Sequence, residues 1–204
     1  MKVESKKLTL FLLGNSIVGK TSFIKRYVKD EFEENMFQTC GIDSFSKSIT
    51  LENGEEINLL FYDTAGQEQY RAISFNLIKG TDGIFLVYDI TDRQSFVDIN
   101  RWIESILDIK GEDFPIILIG NKIDLKEKRV VSEEEGKKLA DDNRYAFIET
   151  SCKDGTNIEE SVKILIPKIL EYKKEQKNNK VENGKPSTKL SKKKQKEKKK
   201  KCCG

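Results

Sequence analysis

Histidine is missing from all 204 residues of this chain, and with it go imidazole general-base chemistry and most zinc sites. Long apolar runs are missing as well, since none approaches the roughly 20 residues that a membrane-spanning helix needs. The opening segment MKVESKKLTLFLLG has neither the apolar stretch of a secretory signal nor a small-residue cleavage site, so the chain is expected to stay in the cytosol. Cysteine is sparse: Cys40 and Cys152 stand alone, and Cys202 and Cys203 are adjacent. That spacing supports neither a disulfide framework nor paired zinc ligands. No internal repeat at a solenoid period is visible.

What is present is charge, unevenly placed. Charged residues make up 35 % of the chain and hydrophobic ones 37 %, enough for one domain with a sizeable core. Residues 173–204 hold 14 Lys against 3 Glu, so a chain of net charge +3 divides into a +11 tail and a −8 body. From about Lys173 onward only Val181 and Leu190 interrupt the polar residues before the final cysteines. Such a segment buries too little to offset its ordering entropy. The expected organisation is a folded body over residues 1–174 and a disordered Lys-rich tail over 175–204.

Short apolar runs rich in β-branched and aromatic residues predict six strands, at Leu8–Leu13, Phe45–Leu51, Ile57–Tyr62, Gly83–Tyr88, Phe114–Gly120 and Tyr145–Glu149. Helical patterns fall between them at Lys20–Lys29, Gln94–Ile109, Ser132–Asp142 and Asn157–Lys174, with a short irregular one after Gln67. Ser132 and Glu135 have the spacing of a capping box, and Pro167 marks a kink or bend in the last helix pattern. Asn53-Gly54 between two strands is a hairpin signal. Alternation everywhere else predicts an open α/β sheet, mostly parallel, with one antiparallel edge strand and helices on both faces.

Four motifs sit at strand ends, where open α/β sheets bind ligands. The first is Gly14-Asn15-Ser16-Ile17-Val18-Gly19-Lys20-Thr21, followed by Ser22. Its glycines let consecutive N–H groups turn toward phosphate oxygens at a helix N-terminus; Lys20 can reach the outer phosphates and Thr21 can ligate Mg²⁺. Taken singly it could be a strand-to-helix turn that happens to carry glycine. The second, Asp63-Thr64-Ala65-Gly66-Gln67-Glu68, offers an acid for Mg²⁺ through water, a backbone N–H at Gly66 for a terminal phosphate, and an amide at Gln67 that can orient an attacking water.

The third motif is Asn121-Lys122-Ile123-Asp124. Asp124 can accept two parallel hydrogen bonds from N1–H and the exocyclic amine of guanine, a donor pair adenine lacks. Asn121 can tie loops together or touch the base edge, and the Lys122 stem can lie on the base face. In the fourth, Glu149-Thr150-Ser151-Cys152-Lys153, a small residue lets backbone N–H groups reach the base carbonyl. Each motif alone could be a polar loop; all four in order point to a guanine nucleotide.

From about Leu8 to Tyr172 the chain resembles the Ras superfamily of small GTPases, and within it the Rab family. Asp63–Glu68 followed by Gln69-Tyr70-Arg71, Gly80-Thr81-Asp82-Gly83-Ile84, and Leu86-Val87-Tyr88-Asp89-Ile90-Thr91 with Ser95-Phe96 carry the likeness. The resemblance implies a P-loop small GTPase fold and places a switch segment at Thr39-Cys40-Gly41-Ile42-Asp43. On that analogy Thr39 ligates Mg²⁺ in the GTP state only, beside Thr21 and Asp63, and Gln67 is catalytic. Cys40, Gly41, Ile42, Asp43, Ser44, Tyr62 and Tyr70 would form the effector and switch face. Departures from the family pattern are Ile17, Met36, Cys40, Ser44, Tyr62 and Cys152. Ile17 and Met36 bear on nucleotide affinity or rate. Cys40, Ser44 and Tyr62 bear on the choice of partner.

The activity implied is hydrolysis of GTP to GDP and phosphate, slow because no built-in arginine finger is evident. Family resemblance brings an exchange factor, a GTPase-activating protein, a GDP-dissociation inhibitor and effectors as partners in vesicle transport, and the chain is expected to be a monomer. The terminal Cys202-Cys203-Gly204 resembles the paired cysteines that Rab proteins have doubly geranylgeranylated. Two lipid chains anchor stably where one anchors marginally, and Lys192–Lys201 would add attraction to an anionic leaflet. The expected location is the cytosolic face of endomembranes or the plasma membrane, with a soluble pool. Nucleic-acid binding is not expected, since the body is acidic and no interleaved aromatics offer stacking platforms. A diverged nucleotide-dependent scaffold is the alternative reading, and a P-loop kinase or ATPase is disfavoured by the base motif.

Overall fold

The computed structural model describes residues 6–34, 42–64 and 78–183. Six strands form one sheet: β1 (Lys6–Leu13), β2 (Ile42–Thr50), β3 (Glu56–Thr64), β4 (Gly83–Asp89), β5 (Ile116–Asn121) and β6 (Ala146–Thr150). Their spatial order is β2-β3-β1-β4-β5-β6. Only the edge strand β2 is antiparallel; it pairs with β3 from Ile42 opposite Thr64 to Thr50 opposite Glu56. The other neighbours pair in parallel, so the C-terminal ends of β1, β3, β4, β5 and β6 share one edge of the sheet.

Alternation along the strands sorts side chains into two cores. Leu8, Leu10 and Leu12 of β1, Phe85 and Val87 of β4, and Ile117 and Ile119 of β5 face one side. There they meet Phe23, Ile24 and Tyr27 of α1 (Lys20–Lys29), and Val162, Leu165, Ile166 and Ile169 of the last helix. Phe11, Leu13, Ile84, Leu86, Tyr88, Ile116 and Leu118 face the other side. The sheet is thus buried on both faces, which is why its central strands read as continuous apolar runs.

The helical stretch expected over Gln94–Ile109 is two helices, α2 (Arg93–Val97) and α3 (Ile99–Lys110), divided at Asp98. The Asp92 side chain caps α2 by accepting from the Gln94 N–H. Helix α4 (Glu133–Asp142) carries the expected capping box: Ser132 Oγ accepts the Glu135 N–H at 3.2 Å, and Glu135 Oε2 accepts the Ser132 N–H at 3.0 Å. A 3₁₀ segment covers Ile123–Lys128.

Helix α5 (Ile158–Asn183) runs through Pro167 and past Lys174, so the segment expected to be disordered from residue 175 begins as helix. A helix already nucleated by its buried face propagates cheaply through good helix formers such as Lys174, Glu175, Gln176 and Lys177. The rest of the tail, 184–204, lies outside the described residues. Among the described residues no helix is long and apolar enough to cross a membrane.

Candidate functional site

The loop between β1 and α1 bends through positive φ at Gly14 (142°), Ile17 (65°) and Gly19 (100°). A Cβ on Gly14 would lie 2.0 Å from the Val87 carbonyl oxygen, and one on Gly19 2.3 Å from Asn121 Nδ2. Both glycines are therefore required by contact as well as by conformation. Ile17 is the exception: a β-branched residue in the left-handed region, 76 % exposed. Val18 is buried, while Ser16 and Ser22 are half-buried in the loop and the first turn of α1.

Lys20 is buried, and its ammonium is turned back into the loop, donating to the Gly14 carbonyl at 2.9 Å and the Asn15 carbonyl at 2.6 Å. Desolvation pulls its pKa down to about 8, with Asp63 opposing the fall. Thr21 Oγ1 donates to Asp63 Oδ2 at 2.6 Å. Asp63 is fully buried, and its Oδ1 has no hydrogen-bond partner among the described residues. Burial raises the Asp63 pKa, while the Thr21 hydrogen bond and Lys20 pull it back. A buried carboxylate oxygen left unpaired beside a hydroxyl and an ammonium is costly by itself, and is the oxygen chemistry that suits a hard cation with phosphate.

About this phosphate corner the base motifs assemble at the ends of β5 and β6. Asn121 is buried and bridges three segments: Nδ2 donates to the Val18 carbonyl at 2.8 Å, and Oδ1 accepts from Thr150 Oγ1 at 3.1 Å and Cys152 Sγ at 3.4 Å. Ser151 Oγ donates to Asp124 Oδ1 at 2.8 Å, holding that half-buried carboxylate in place. Lys122 adopts φ 71°, and its ammonium pairs with Asp89 Oδ2 at 2.6 Å. Exposed Lys153 pairs with Glu34 at 3.0 Å.

Thus Gly14 to Ser22, Asp63, Asn121, Lys122, Asp124, Ser151, Cys152 and Lys153 meet along one edge of the sheet. Asp43 and Ser44 are exposed on β2, with Ser44 opposite half-buried Tyr62. Thr39, Cys40, Gly41, Gly66, Gln67, Tyr70, Cys202 and Cys203 lie outside the described residues, as does the Ile42 side chain.

Sequence reasoning passed over Arg26. It lies on α1, and donates from Nε to the Cys152 carbonyl at 2.8 Å and from Nη2 to the Lys153 carbonyl at 2.7 Å. Its guanidinium carbon is 6.0 Å from the centroid of Phe32. No spacing rule links residue 26 to residue 152; a basic residue in the last turn of a helix reads as a dipole partner. Only the packing of α1 beside β6's exit loop shows the connection.

A glycine loop at a helix N-terminus, a buried lysine beside a buried acid, and a separate carboxylate at the same sheet edge are the arrangement expected of a guanine-nucleotide domain of the P-loop class. The Ras family pattern matches residues 9–171. Ras-related protein Rab-8B of Pongo abelii is 44 % identical over 152 residues, 74 % of this chain and 73 % of that protein. GTP-binding protein YPT1 of Saccharomyces cerevisiae is 37 % identical over 176 residues, 86 % of this chain and 85 % of that protein. Human EF-hand calcium-binding domain-containing protein 4B is 36 % identical over 195 residues, and this chain spans 25 % of its length. The chain belongs to the Ras family and is a Rab-type small GTPase.

Proposed function

We propose that this chain is a membrane-anchored switch that binds GTP with Mg²⁺, hydrolyses it slowly to GDP and phosphate, and recruits effectors in vesicle trafficking. The observation that carries the reading is the Asn121–Val18 bond at 2.8 Å, which fastens the base-recognition loop to the phosphate loop so that one nucleotide can span both. The metal site fits the residues present: Thr21 supplies a hydroxyl, and Asp63 supplies a buried oxygen in need of a partner. When bound, Mg²⁺ would neutralise charge between phosphate oxygens.

Within that site each residue has a physical task. Lys20, already stripped of water, meets phosphate at little further desolvation cost. Gln67 orients the attacking water, and Thr39 and Gly66 sense the terminal phosphate, as the family resemblance implies. Asp124 selects guanine, presented by Ser151, while Cys152 and Lys153 set the path of the loop around the base. Exposed Asp43 and Ser44 with Tyr62 supply part of a partner-reading face. Cys202 and Cys203 would carry geranylgeranyl groups, placing the chain on the cytosolic face of endomembranes or the plasma membrane, with the Lys-rich tail biasing it toward anionic lipid.

The test is single-turnover hydrolysis of GTP by the full chain with and without Mg²⁺. Gln67→Leu should slow the wild-type reaction at least tenfold; equal rates would remove Gln67 from its role. Anchoring is tested separately: the prenylated wild type should pellet with membranes, and a Cys202→Ser, Cys203→Ser variant should stay in the supernatant. A variant that still pellets contradicts the lipid model.

A further inference from the structure

Asn15 of the phosphate loop works in two directions. Its backbone carbonyl accepts Lys20 Nζ at 2.6 Å, while its side chain is gripped at both ends by the junction of α2 and α3. Trp102 Nε1 donates to Asn15 Oδ1 at 3.2 Å, and Asn15 Nδ2 donates to Asp98 Oδ2 at 2.8 Å. An indole can only donate and a carboxylate can only accept, so a single orientation of the amide satisfies both partners.

Asp98 is itself held. It is 6 % exposed, and its Oδ1 accepts from Gln94 Nε2 at 3.0 Å and lies 3.2 Å from Arg101 Nη1. The carboxylate therefore has partners on its own helices, and its second oxygen is spent on the loop rather than on the junction. Trp102 is the chain's single tryptophan and is half-buried. Its ring could pack there without aiming its N–H at Asn15.

We propose that Asp98 and Trp102 are positioning residues for nucleotide binding: through Asn15 they fix the carbonyl that holds the Lys20 ammonium. The inference rests on the reading of Lys20 as the phosphate-binding cation. It has an optical corollary. Because the indole N–H is bonded to the loop, phosphate in that loop alters the surroundings of Trp102, and its emission reports site occupancy.

The experiment uses the full chain loaded with Mg²⁺ and a fluorescent GDP analogue, and follows both analogue release and Trp102 emission with unlabelled nucleotide. Removing one partner of a charge-assisted bond costs enough to predict about tenfold faster release for Asp98→Ala. Trp102→Phe keeps a ring and loses the N–H, and should release about threefold faster. Asp98→Asn can still offer an oxygen to Asn15 Nδ2, and should stay within about twofold of wild type. A purely structural junction would lower thermal stability in Asp98→Ala and leave release unchanged, which overturns the proposal. So does an emission spectrum identical in nucleotide-free, GDP and GTP forms. If the wild type binds no analogue at all, the nucleotide reading falls and this inference with it.

Discussion

Arg26 Nε donates to the carbonyl of Cys152 at 2.8 Å, joining the helix that follows the phosphate loop to the loop that follows β6. A second guanidinium nitrogen reaches the Lys153 carbonyl at 2.7 Å, and a third pairs with Asp30 at 2.9 Å. One side chain thus ties the helix after the glycine loop to the segment proposed to surround the base. Arg26→Ala should weaken GDP binding by about tenfold, the cost of losing charge-assisted bonds that hold the loop after β6. Arg26→Lys should rescue only in part, since an ammonium lacks the fork. Isothermal titration with GDP checks this, and wild-type affinity in Arg26→Ala would remove Arg26 from the site.

Ile17 holds φ 65° with its side chain in solvent. Left-handed backbone costs an L-residue roughly 1–2 kcal/mol, whereas the entropy that glycine adds to the unfolded chain costs roughly 0.5–1 kcal/mol. The first exceeds the second. Ile17→Gly should therefore stabilise the protein by up to about 1 kcal/mol, seen as a higher urea midpoint at unchanged slope. A lower midpoint would show that Ile17 makes a compensating contact.

Gly136 sits inside α4, where alanine would ordinarily gain about 1 kcal/mol of helix propensity. A Cβ there would stand 2.3 Å from Tyr88 Oη and 2.6 Å from Phe147 Cζ. Tyr88 is fully buried and packs edge-on against Phe96 at 5.0 Å, so it has little room to retreat. Overpacking costs about 1–3 kcal/mol, and Gly136→Ala should be net destabilising by about 1 kcal/mol or more. Thermal unfolding decides the sign.

Cys152 is buried, and desolvation pushes its pKa up to about 12 from an ordinary 9.0. Its folded form keeps the proton that the unfolded form releases. The associated stability is fully present below pH 9 and declines as pH rises toward 12. Near neutral pH the folded thiol therefore holds far less thiolate than an unfolded one. Iodoacetamide followed by peptide mapping should leave Cys152 unmodified in buffer and modify it in urea. Modification in buffer would mean that this part of the base loop opens.

The six strands, α1 to the residue, and the capping box of α4 were legible because each is written in a short window: an apolar run, a 3.6-residue period, or a Ser–Glu spacing. The break at Asp98 was not, since Gln94–Ile109 keeps one helical period across it. Asp98 itself keeps helical backbone angles, and its carboxylate reaches Asn15, a partner from another element that no local pattern reveals. The extension of α5 to Asn183 was missed because helix formers without an apolar face are indistinguishable from a polar tail until a buried helix precedes them.

By itself the sequence determined the kind of ligand. The phosphate loop, the acid at the end of β3 and the carboxylate at Asp124 are chemical requirements of a guanine nucleotide, met by residue type and order along the chain. Tertiary structure decided how those parts are held. Asn121 to Val18, Arg26 to Cys152 and Trp102 to Asn15 are contacts across 103, 126 and 87 residues. A parallel sheet brings strand ends together that no local pattern connects, and a side chain's partner across such a distance is set by packing geometry.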